Sequence, residues 1–154
     1  MFMIIEFISI VIGVIFMTLM FQGGSMETLI MYLDLPTLMC ILVLSMPILF
    51  RNGLWKDFLR AFKMLHKKFD CSLSDIKRSL DAVEFMQKQV LYAGIIIVCV
   101  SLIYVLCYVD NPELVGPCIA VVLIGMLYTA AIELILLPLQ LEAKRRIIDY
   151  MEKE

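Results

Sequence analysis

Two carboxylates, Glu6 and Glu133, stand in otherwise apolar surroundings and are the residues best placed to do chemistry in this chain. A carboxylate inside a membrane-spanning stretch is costly, so it marks an ion path, a proton relay or an interhelix bond unless it reaches the headgroups. Glu6 lies near the inner end of the first apolar run, where it can reach them. Glu133 lies about 27 Å along the last run counted from Val115, near the inner interface rather than the midplane. Two readings of Glu133 stand together: an ion-pathway or interhelix role, and snorkelling to the interface. Thr129, one helical turn earlier, can offer a hydroxyl to a water-filled path. Gly116, Ala120, Gly125 and Ala130 are small positions that let helices approach closely.

The other reactive side chains point to no catalysis. Cys40, Cys71, Cys99, Cys107 and Cys118 form no CxxC pair, and the single histidine, His66, sits among Lys67 and Lys68 on a polar face. Small apolar fillers are the expected role for the cysteines, and no metal box exists. There is no Gly-rich phosphate loop, GxSxG, HExxH or paired-carboxylate constellation. The expectation is a non-enzyme with no cofactor.

The elements that position these residues follow from composition. The 154 residues are 62% hydrophobic and only 18% charged, with long stretches that carry no charge. That pattern predicts one all-α polytopic membrane domain. Four spans are expected: 3–21, 33–50, 92–109 and 115–141. The first lacks the basic start and small-residue cleavage site of a signal peptide, so it reads as a mature helix. Asp34 and Pro36 resemble the N-cap and first turn of the second span, with 29–33 able to extend it outwards. Pro47 should kink that span near its inner end. Asp110-Asn111-Pro112-Glu113 is the short connection between the last two spans, and Pro117 and Pro138 interrupt the fourth.

All thirteen basic residues fall in the middle region 51–91 or in the tail 142–154. The loops 22–34 and 110–114 carry acids alone. Positive charge stays in the cytoplasm, so both termini and the middle region are expected there. Leu54, Phe58, Leu59, Phe62, Leu65 and Phe69 recur at helical spacing, with lysines and arginines between them. A second pattern runs through Ile76, Leu80, Val83, Met86 and Val90 after a capping-type Ser72-Leu73-Ser74-Asp75. The region reads as a short helical hairpin or as two extensions of the spanning helices. Its basic face suits anionic headgroups, or a soluble partner docking at Arg60, Lys63 and Arg78. Trp55 reads as an interfacial anchor. A position against a membrane argues against nucleic acid as the partner.

The order of these features resembles the MotA/TolQ/ExbB family, specifically its four-span MotA branch with a shortened cytoplasmic region. One likeness lies in Gly23-Gly24-Ser25 followed by Asp34-Leu35-Pro36-Thr37-Leu38. The other lies in Gly116-Pro117-Cys118-Ile119-Ala120-Val121-Val122-Leu123, then Leu127-Tyr128, then Leu136-Leu137-Pro138-Leu139. The resemblance implies a bacterial inner-membrane protein in which five copies surround two copies of a single-span MotB/ExbD/TolR-type partner. Protons or sodium ions pass along that interface and power flagellar motility or another envelope process. Thr129, Glu133, Gly125 and Ala120 then become pore-lining candidates, with Pro36, Pro117 and Pro138 structural. Gly125 and Met126 stand where the family usually has threonines. The alternative is a non-conducting scaffold or holin-like oligomer that retains the fold.

Overall fold

The computed structural model describes residues 8–16, 34–65, 71–108 and 112–152, and every regular element among them is α-helical. Helix α1 covers 8–16, within the predicted first span. Glu6, the Gly23-Gly24-Ser25 turn, His66 and Asp110-Asn111 lie outside the described residues. Helix α2 is Leu35–Arg51, α3 is Trp55–Met64, α4 is Leu73–Tyr108 and α5 is Pro112–Met151. Helices α4 and α5 are each long and apolar enough to cross a membrane, and the bent pair α2 and α3 is a third candidate. These lengths and compositions are those of a membrane protein.

Helix α4 has 36 residues and α5 has 40, so they extend about 54 Å and 60 Å. The predicted third span is therefore the second half of one unbroken helix. Residues 73–91 extend that span, whereas Trp55–Met64 forms a separate helix. The predicted tail likewise continues α5 as far as Met151. A buried stripe explains why α4 does not break. Ile76, Ser79, Val83, Met86 and Val90 recur at alternating three- and four-residue intervals and all are buried. On α5 the same rhythm, with one seven-residue step from Thr129 to Leu136, links Val122, Gly125, Thr129, Leu136, Leu139 and Ala143, again all buried. The two stripes face each other, and this pair is the backbone of the fold.

Helix α2 begins at a well-made cap. Asp34 accepts from the Thr37 amide at 3.5 Å and from the Thr37 hydroxyl at 2.5 Å, and Pro36 stands in the first turn. The helix runs through Pro47, and the sharp change of direction falls later, at 52–54, where α2 and α3 meet at 105°. Gly53 supplies the bend with φ +69°, a left-handed conformation that costs glycine nothing. The amides of Asn52, Gly53 and Leu54 close the end of α2 on the carbonyls of Ile48, Phe50 and Leu49. A missing Pro47 amide is one lost hydrogen bond in a helix that neighbours support. The glycine changes the chain's course.

Trp55 stacks on Phe50 across this bend, with ring centroids 4.5 Å apart. Phe58 and Phe62 continue the aromatic row edge to face at 5.2 Å. Phe58 and Ala61 enter the same core as Ile41 and Leu49 of α2, Val83 and Met86 of α4, and Leu139 of α5. Three ties hold α3 and the chain after it. Arg60 bridges Asp57 at 2.8 Å and Asp75 at 3.1 Å. Arg146 of α5 donates to the Met64 carbonyl, and the Tyr150 hydroxyl donates to the Cys71 carbonyl at 2.9 Å.

The level at which α2 starts is unexpected. Its Asp34 amide donates to the Tyr128 hydroxyl at 2.8 Å, and Thr37 packs over Gly125. Gly125 lies about 20 Å down α5 from Pro112. The start of α2 thus sits beside the middle of the charge-free stretches of α4 and α5, not at their Pro112 end. Tyr128→Phe removes the acceptor which that amide has among the described residues. Its expected effect is a loss of about 1 kcal/mol of unfolding free energy, read by denaturation in detergent.

Candidate functional site

Glu133 follows Thr129 by one turn of α5, so both side chains border the seam with α4. Two hollows meet there and share Leu91 and Glu133. The first, about 280 Å³, is apolar and is walled by Gly94, Ile95, Val98, Met126 and Ala130. The second, about 300 Å³, is polar and is walled by Glu84, Gln87, Lys88 and Gln140. Together they form one groove that changes character at Glu133. The Glu133 Oε1 atom is buried and has no hydrogen-bond partner among the described residues. An orphaned carboxylate oxygen seeks a donor or a cation.

At the polar end, Glu84 Oε1 accepts from Gln140 Nε2 at 2.9 Å and pairs with Lys144 at 3.1 Å. The Gln140 hydrogen bond first, and Lys144 next, hold this carboxyl below the usual carboxylate range. Glu84 Oε1 is thus already satisfied, in contrast to Glu133 Oε1. Lys88 is exposed and forms no salt bridge among the described residues.

Thr129 is 8% exposed, and its hydroxyl donates to the Gly125 carbonyl at 2.9 Å. Its side chain lies hard against Gly94, where even a methyl group would collide with it. Gly125 is buried against Thr37, Ile97 and Val98. Ala120 is exposed on α5 and lies outside the groove. Thr129 and Glu133 therefore share the groove wall, while Gly125 and Ala120 belong to other surfaces. Pro36 stands in the first turn of α2, and α5 passes through Pro117 and Pro138 without ending.

The three basic docking candidates separate as well. Arg60 is engaged within the fold, whereas Lys63 and Arg78 are exposed. Cys40, Cys99 and Cys107 are also exposed, so they do not fill the core of this chain. Apolar helix faces that meet lipid accommodate a cysteine as readily as a core does. Gly94 escaped the sequence reading, although it is the only glycine in α4 and that alone was a signal. Arg146 and Tyr150 escaped it because a basic C-terminal run reads as a solvated tail. Among the described residues, no group of His, Cys, Asp and Glu side chains is placed to hold a metal ion. Compared with known proteins, the chain matches no family model, no curated protein and no solved structure.

Proposed function

We propose that this chain is a stator-like subunit of the MotA type, driven by an ion-motive force. Five copies surround a dimer of a single-span MotB/ExbD/TolR-like partner in a bacterial inner membrane, with the termini cytoplasmic. H⁺ or Na⁺ moves along that interface and powers motility or another envelope process. One observation carries the reading. The two segments on which the family resemblance rests are distant in sequence, yet Asp34 of the first bonds Tyr128 of the second. Residues that resemble a family's motifs in sequence are thereby paired in space. Glu133, orphaned beside the α4/α5 seam, supplies an acceptor for an ion that passes there.

The test is reconstitution with such a partner and measurement of ion flux. Glu133→Gln should lower flux by about tenfold or more, because it removes the charge at the membrane boundary. Thr129→Ala should change it little, since that hydroxyl is already bonded to Gly125. Absence of flux from the wild-type assembly under any driving force would sink conduction. A second reading, a non-conducting scaffold or holin-like oligomer, draws on that same Thr129 bond. The hydroxyl that a conducting path would use is turned inward. An assembled but ion-tight oligomer would favour it.

A further inference from the structure

The groove between α4 and α5 has the polarity order of a phospholipid. Its apolar hollow lies along the charge-free stretches, and its polar hollow lies toward the charged ends of both helices. Two groups face the polar part: the exposed Lys88 on α4, whose charge acts on the neighbouring Glu84, and the buried Oε1 of Glu133 on α5, which has no hydrogen-bond partner among the described residues. Glu84 competes less for a ligand, because Gln140 and Lys144 both hold its Oε1.

We propose that this groove binds a phospholipid whose headgroup carries a primary ammonium, drawn from the leaflet on the basic side. One acyl chain fills the apolar hollow beside Gly94 and Ala130. The ammonium donates to Glu133, and the phosphate faces Lys88. The donor requirement is what selects the headgroup. A buried carboxylate oxygen needs an N–H, which ethanolamine has and choline lacks. A glycerol headgroup offers hydroxyls but no positive charge, and its net negative charge opposes Glu133. Acyl burial draws on the hydrophobic effect only weakly within a bilayer, so the headgroup decides which lipid stays.

The experiment uses the full chain in detergent, stripped of lipid. Ethanolamine, choline and glycerol phospholipids with identical acyl chains compete for it, and bound lipid is weighed by native mass spectrometry. Ethanolamine lipid should be retained about tenfold over the choline form, the worth of one charge-assisted hydrogen bond. Glu133→Gln should bring that ratio close to one, with helix content by circular dichroism unchanged. Ala130→Phe, which fills the apolar hollow, should weaken all three lipids alike. Equal retention of the three headgroups would overturn the proposal. So would a preference for the glycerol headgroup, or a preference untouched by Glu133→Gln. No ion gradient or partner enters this measurement, so its outcome is independent of conduction.

Discussion

Gly94→Ala is expected to lower stability by about 3 kcal/mol, the upper end of what overpacking costs. A Cβ at this position would lie 2.6 Å from Thr129 Cγ2 and 2.8 Å from Thr129 Cβ, with Thr129 Oγ1 closer still. No rotamer of threonine clears all three atoms, because Cβ does not move with χ1. Either α4 and α5 separate or the helices bend, and both open the seam on which the fold depends. Close packing is the main source of helix association among apolar lipid tails, so the loss is not recovered elsewhere. Thr129→Ala in the same molecule removes two of the three obstructing atoms. The double variant should therefore be more stable than Gly94→Ala alone, a coupling read by a thermal double-mutant cycle in detergent. Additive losses would show that the contact is not shared.

Arg146→Met should release α3 from the rest of the protein at a cost of about 2 kcal/mol. Arg146 donates to the Met64 carbonyl, one of the four at the C-terminal end of α3 that lack a partner within the helix. Its positive charge also suits the negative end of that helix. Its second bond, to Glu142 at 3.2 Å, aims it. With methionine in its place, the Met64 carbonyl loses this donor and Glu142 loses its pair. Amide hydrogen exchange should accelerate across 55–64 while 92–108 keeps its protection. Arg146→Lys keeps the charge but not the planar fork, and should recover only part of the loss.

Much of this fold is legible in spacing. The three- and four-residue steps through Ile76, Leu80, Val83, Met86 and Val90 mark a helix face whatever surrounds it. The same rhythm in α5 passes from Val122 to Ala143 through the change from apolar to charged composition. Charge-free runs likewise announce membrane helices. Offsets between helices are a different matter, since hydropathy measures the length of an apolar run and not where its neighbour begins. Nothing in Asp34-Leu35-Pro36 tells that this cap stands beside Tyr128. The bend shows how signals compete: Pro47 is the stronger sequence signal, yet among the described residues Gly53 alone has the left-handed conformation, and it stands at the 105° turn. At the candidate site, Glu133 was legible as an ionisable residue in an apolar run. The groove around it was not, because its walls come from two helices and its sharpest constraint, Gly94 on Thr129, is a pairing between residues rather than a motif.

The unbroken course of α5 has a mechanical meaning. From Thr129, where Gly94 grips it, to Met151 is about 33 Å of helix, which passes Pro138 without ending. With Gly94 as fulcrum, a tilt of about 10° would sweep the far tip through roughly 6 Å, and Arg146 and Tyr150 would carry α3 and Cys71 along. Such a tilt would work the helix as a lever, with its short arm in the apolar stretch and its long arm geared through Arg146 and Tyr150 to what packs around its charged end.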